Sequence, residues 1–162
     1  MAGIALKLRG ATLPEGYQCK KYFSDVLNHD WICRAVELSA DRELVSKTNS
    51  VFRPQDKITR AEALSIIMKS VWIEAVETES TATFPFSDVT VAWQKKVVLW
   101  ASGVGIIYSP NVIIENGGFF VRENATPTAF YPNRDATRAE VFAFAKKAHA
   151  YHKLMSGEVA IQ

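Results

Sequence analysis

Two arginines, Arg60 and Arg138, stand in the same setting, Thr-Arg-Ala-Glu, at 59–62 and again at 137–140. A guanidinium is a planar fork that binds a carboxylate through two parallel charge-assisted hydrogen bonds. The flanking residues have a separate task. Thr-x-x-Glu is a capping box, in which the threonine hydroxyl accepts the backbone N–H three residues on and the glutamate reaches back to the cap's own N–H. That accounts for Thr59 with Glu62 and for Thr137 with Glu140. It leaves the arginines unexplained, because a cation at a helix N-terminus opposes the macrodipole. Free N–H groups at the same helix start favour an anion. Thr and Glu therefore close each helix start and each arginine is left for an acidic ligand, or else pairs with a surface acid.

The tryptophans divide in a similar way. Trp31 and Trp93 could cover the apolar face of a sugar ring, or begin the buried stripe of a helix, while Trp72 and Trp100 read as core. Asp25 and Asp88 read as acceptors capping local turns. His149 and His152 lie three apart with no carboxylate beside them, which is a solvated face rather than a metal pair, and no Cys-x-x-Cys is present. No phosphate loop, Gly-x-Ser-x-Gly or His-Glu-x-x-His occurs, and Glu62 and Glu140 are already engaged as caps. The reading is a non-enzyme without cofactor or metal.

These residues recur because the chain repeats. Phe23-Ser24-Asp25-Val26 matches Phe86-Ser87-Asp88-Val89, Trp31 matches Trp93, and Phe52 with Pro54 matches Phe130 with Pro132. The Phe-to-Thr interval is seven positions in both halves. Trp to Phe is 21 positions in the first half and 37 in the second, so the second carries an insertion of 16. Apolar spacing predicts helices near 29–41, 59–76, 91–102 and 137–153. The first-helix stripes are Trp31, Ala35, Leu38 and Trp93, Val97, Trp100. Those of the second helices are Leu64, Ile67, Met68, Val71 and Val141, Phe144, Ala145, Ala148. Gly103 is a candidate stop. The insertion, about 108–126, alternates around Asn116-Gly117-Gly118 and predicts a small β-hairpin with strands near 112–115 and 119–122.

Of 162 residues 48% are hydrophobic, and 19 basic against 17 acidic residues leave a charge of +2, without the basic excess of a nucleic-acid reader. No apolar run is long enough to span a membrane, and no export signal is visible. Cys19 and Cys33 could pair, closing a loop worth roughly 3 kcal/mol in the chain-entropy model, or could remain thiols with Cys33 buried on a helix.

Phe-Ser-Asp-Val, a Trp-led helix, Phe-Arg-Pro and Ile-Thr-Arg-Ala-Glu, in this order, resemble the S-layer homology repeat over roughly residues 22–76 and 85–152, after an N-terminal segment 1–21. The resemblance implies a mainly α module of tandem helix-loop-helix repeats packed as a helical bundle. It implies anchoring at the bacterial cell surface through secondary cell-wall polysaccharide, an acidic and often pyruvylated glycan. Arg60 and Arg138 fall on the family's groove arginine, Trp31 and Trp93 on its tryptophan. An alternative is an assembly module that contacts protein without binding glycan. The family packs three repeats and this chain shows two, so residues 1–21, a third repeat of a longer parent chain, or self-association must cover one side. The glycines favoured before Phe-x-Pro are absent from "SKTNSVFRP", and the insertion replaces that loop in the second half.

Overall fold

The computed structural model describes residues 1–27, 32–73, 84–109, 112–115, 118–121, 126 and 128–157. In chain order the elements are α1 (Ala2–Leu8), α2 (Cys33–Asp41), α3 (Arg60–Ser70), α4 (Ala92–Gly103), β1 (Val112–Glu115), β2 (Gly118–Val121) and α5 (Arg138–Met155). The architecture is mainly α. Each half contributes a first helix (α2 or α4), a long connection and a second helix (α3 or α5). The strands pair antiparallel, with Val112 opposite Val121 and Glu115 opposite Gly118, and the ribbon lies against α4.

Both connections are held by an aspartate. Asp25 accepts the N–H groups of Phe52 and Arg53 at 2.8 and 2.6 Å, and Asp88 accepts those of Phe130 and Tyr131 at 2.8 and 2.6 Å. Arg53 and Tyr131 are left-handed, with φ of 60° and 59°, a conformation costing a non-glycine residue roughly 1–2 kcal/mol. Two charge-assisted bonds to one carboxylate offset that cost. Asp25 and Asp88 are thus not caps of local turns; each reaches a loop 27 or 42 residues away. Beside each clamp the two motif phenylalanines meet, Phe23 with Phe52 at 5.4 Å between centroids and Phe86 with Phe130 at 5.9 Å.

The largest core cluster draws Leu64, Ile67, Met68 and Val71 from α3, Val98 and Ala101 from α4, and Val141, Phe144, Ala145 and Ala148 from α5. A second, smaller cluster joins Phe23 and Val26 to Cys33, Val36 and Ala40. The predicted second-helix stripes are the buried ones. Trp100 is half-buried against the main cluster, whereas Trp72 is 66% exposed and is not core.

Helix bounds differ from the sequence reading for identifiable reasons. α2 starts at Cys33 after Ile32, with no side-chain cap, and residues 28–31, Trp31 among them, lie outside the described residues. α3 ends at Ser70 because the chain turns left-handed at Trp72, φ 62°. Gly103 is the last residue of α4, and the left-handed stop is Gly105, φ 75°. α1 was not foreseen. It packs against α2, α3 and α5, placing Met1, Ile4 and Leu8 on the main cluster and burying Ala5 and Leu6 beside Leu44.

The stretch after α1 is fastened to α2. Cys19 and Cys33 are bonded, with Cα atoms 6.3 Å apart. One helical turn on, Glu37 is 1% exposed, and its carboxylate accepts the N–H of Lys20 and of Tyr22 and the hydroxyl of Tyr17. A buried carboxylate is tolerated only when so satisfied.

Replacing Asp88 by Ala removes both bonds to the Phe130–Tyr131 backbone and leaves Tyr131 left-handed without compensation. The unfolding free energy should fall by roughly 2–3 kcal/mol, read as a lower urea midpoint at unchanged m-value. A shift below about 0.5 kcal/mol, the size of an ordinary surface change, would show that the clamp is not needed.

Candidate functional site

The two capping boxes form as written. Thr59 accepts the N–H of Glu62 while Glu62 accepts the N–H of Thr59, and Thr137 with Glu140 does the same. Their neighbours then diverge. The first N–H groups of α3 are taken by the second half: Arg60 donates to the carbonyl of Arg134 at 2.9 Å and Ala61 to that of Pro132 at 3.1 Å. The N–H of Ala136 returns to the carbonyl of Ile58, and Thr59 bridges Asp135. The starts of α3 and α5 therefore meet through the backbone.

Arg60 lies inside this junction, its side chain 15% exposed. Its Nε donates to the carbonyl of Phe130 at 3.0 Å and its Nη1 to Glu140. The guanidinium carbon sits 4.7 Å from the Phe130 ring centroid and 5.5 Å from that of Phe144. Burial lowers the pKa of Arg60 below its ordinary value, against the raising pull of Glu140; an arginine nonetheless stays charged. Glu140 also pairs with Arg134. Burial pushes its carboxyl up, but the N–H of Thr137, the Arg134 guanidinium and the Thr137 hydroxyl prevail and hold it below the ordinary value. Arg60 is thus not left free: it joins the two repeats, and a ligand reaching it must compete with Glu140.

Arg138 differs in every respect. It is exposed, and among the described residues it has no hydrogen bond or ion pair. The N–H groups of Arg138 and Ala139 meet no acceptor among those residues either. Tyr131 and Phe142, 60% and 58% exposed, lie on the same half.

Trp93, at the start of α4, is 44% exposed and lines a cleft of about 810 Å³ with Trp72, Arg9, Arg42, Lys69 and Lys96. The Arg9 guanidinium lies 3.4 Å above the Trp72 ring. Sequence reasoning missed Arg9, Trp72, Glu37 and Arg134. The Gly10 stop after "IALKLR" could have revealed α1 and with it Arg9, but nothing local marks the other three.

The S-layer homology domain matches residues 22–64. Over 125 residues the chain is 32% identical to an exoglucanase, XynX, of Acetivibrio thermocellus, covering 75% of this chain and 10% of that protein. It is 30% identical over 125 residues to an amylopullulanase of Thermoanaerobacterium thermosulfurigenes, 75% and 6% of the two chains. With an endoglucanase of Bacillus sp. (strain KSM-635) the figures are 26% over 130 residues, 80% and 12%. The chain thus spans between 6 and 12% of the length of these relatives, and each alignment is longer than either repeat.

The two arginines should separate in stability. Arg60→Ala removes a buried cation with its carbonyl, carboxylate and ring partners and should cost roughly 2–3 kcal/mol, whereas Arg138→Ala should stay within about 0.5 kcal/mol. Because the folded pKa of Glu140 is depressed, the stability it supplies is complete above the ordinary carboxylate value, 4.5, and is lost as pH falls through the folded one. Urea midpoints measured from pH 7 down to pH 3 should therefore drop less steeply for Glu140→Gln than for the parent. Parallel curves would remove Glu140 from the acid response.

Proposed function

We propose, on the premise that residues 22–64 are an S-layer homology domain, that this chain is a non-catalytic anchoring module for an acidic secondary cell-wall polysaccharide of bacteria. S-layer homology domains occur in cell-surface proteins and hold them to the wall. The observation that carries the acidic-glycan reading is Arg138: an exposed guanidinium with no partner among the described residues, on a helix start whose first N–H groups are open. A carboxylate, such as that of a pyruvyl ketal, fits both donors at once. Arg60 occupies the matching place in the first repeat, where a ligand carboxylate would share it with Glu140. Trp93 supplies an exposed ring for a sugar face, and Trp31, its counterpart, lies outside the described residues.

In a longer parent chain this module would hold its neighbours to the wall, as befits similarity to a small fraction of proteins named for glycan-degrading activities. α1 covers a side of α3 and α5, which supports a covering role for residues 1–21. The second reading, an assembly module contacting protein, is favoured by Tyr131 and Phe142, exposed in the same half as Arg138.

Sedimentation with purified bacterial walls, before and after stripping their secondary polymer, separates the two. The chain should pellet with intact walls and stay in solution with stripped ones. Arg138→Ala should weaken retention by roughly 1.5–3 kcal/mol, the worth of hydrogen bonds to a charged group, at unchanged melting temperature. Equal retention on stripped walls would sink the glycan reading.

A further inference from the structure

The helix C-termini single out a second place on the molecule. α1, α2, α3 and α4 each end in a Schellman pair: the N–H of the residue after the cap returns to the carbonyl three back, and the next N–H returns five back. The pairs are Gly10 to Lys7 with Ala11 to Leu6, Glu43 to Ala40 with Leu44 to Ser39, Trp72 to Lys69 with Ile73 to Met68, and Gly105 to Ser102 with Ile106 to Ala101. α5 makes the first of these bonds, Gly157 to Leu154. The motif puts one residue in the left-handed region, where glycine is at no disadvantage. α1, α4 and α5 use glycine there, with φ between 68° and 75°, while α2 uses Glu43 at 59° and α3 uses Trp72 at 62°. A bulky left-handed residue is an outlier. Both outliers line the same cleft.

That cleft has the chemistry of a ligand site. Arg9, Arg42, Lys69 and Lys96 face it against two acids, Asp41 and Glu43. Asp41 is already paired with Lys20 at 2.8 Å and Lys47 at 2.7 Å, so the field in the cleft is cationic. Arg42, Lys69 and Lys96 have no side-chain hydrogen bond or ion pair among the described residues. Two large indoles that would ordinarily be covered are exposed, Trp72 at 66% and Trp93 at 44%. Trp72 carries the Arg9 guanidinium over one ring face, which fixes the indole's plane. Exposed planar apolar rings among spare cations suit a pyranose that bears a carboxylate: the ring stacks and the acid meets Arg42 or a lysine. The cleft sits at the far end of α3 from Arg60, whose ten-residue span to Ser70 measures roughly 15 Å at 1.5 Å per residue.

We propose that this cleft is a binding subsite for a carboxylate-bearing sugar residue, with Trp72 held left-handed to serve as its platform. The assignment deepens the acidic-glycan reading above and rests on it for the ligand class, but it uses residues other than the two motif arginines. Strain kept at a place where glycine would fit is what a functional demand leaves behind.

The test is calorimetric titration with an oligomer of four galacturonic acid residues, and with its methyl ester as the neutral counterpart. The parent should bind the acid form, less tightly as salt rises, and the ester at least tenfold more weakly. Trp72→Gly relieves the left-handed strain, so it should keep the melting temperature within a few degrees yet lose about tenfold or more in affinity. Arg42→Ala with Lys96→Ala, the first exposed and the second half-buried without a side-chain partner among the described residues, should lose a similar factor without unfolding. No heat from the parent, or variants that bind as the parent does, would overturn the assignment. Sedimentation with intact walls runs beside it. A parent that binds the oligomer but not the walls ends the anchoring reading and leaves the cleft standing. Walls held equally by the parent and by Trp72→Gly remove the cleft and leave the anchoring reading.

Discussion

Much of this molecule hangs on a carboxylate gripping two consecutive backbone N–H groups. Asp88 does so at Phe130 and Tyr131, and Asp25 at Phe52 and Arg53. The grip holds the middle residue of Phe-x-Pro left-handed, so the chain leaves the turn in one direction. Six residues after that left-handed residue, the capping threonine must start the next helix. The clamp also fixes the Phe130 carbonyl and ring, and both are partners of Arg60. The meeting of α3 with α5 is therefore downstream of a turn that neither helix contains.

One motif in two environments explains how the site could be only half read from the sequence. The Thr-Arg-Ala-Glu box is local: its hydrogen bonds span three residues, so spacing alone specifies them. What becomes of the arginine depends on which half of the chain lies opposite. Arg60 faces the loop and cap of the second half, 70 and 80 residues away, and becomes an interior strut. Arg138 meets no corresponding loop among the described residues and stays in solvent. Identical sequence thus gives a structural cation once and an open one once, a difference that requires tertiary contacts.

The same division runs through the rest of the fold. Helix type, the repeat and the second-helix stripes were legible because they rest on periodicity and caps. The reach of Asp25 and Asp88 was not, since an acceptor's sequence context does not say whose N–H it takes. Glu37 was hidden for a related reason. A glutamate on an otherwise apolar helix face reads as exposed until the N-terminal segment is known to lay its N–H groups against it. Helix stops were only roughly legible where glycine marks them, since Gly103 was read as the stop and the left-handed residue is Gly105, and illegible at Trp72, which no propensity argument would place in a left-handed cap.

The two ends of α3 show how a short helix can divide its duties. At its start every orphan N–H finds an acceptor, in the capping threonine or in the second half's carbonyls, and the adjacent arginine is neutralised. That end is closed, well satisfied and suited to holding two repeats in register. At its finish the backbone is satisfied too, but only by forcing Trp72 left-handed, and the side chains around it remain exposed and cationic. A structure selected for stability alone would place glycine there, as three other helices do. The departure from that rule falls where two repeats and α1 converge, so a ligand in the cleft would touch residues from α1, α3 and α4 together. Binding there would add to the cohesion of the bundle by linkage, because the cleft exists only when those elements are assembled.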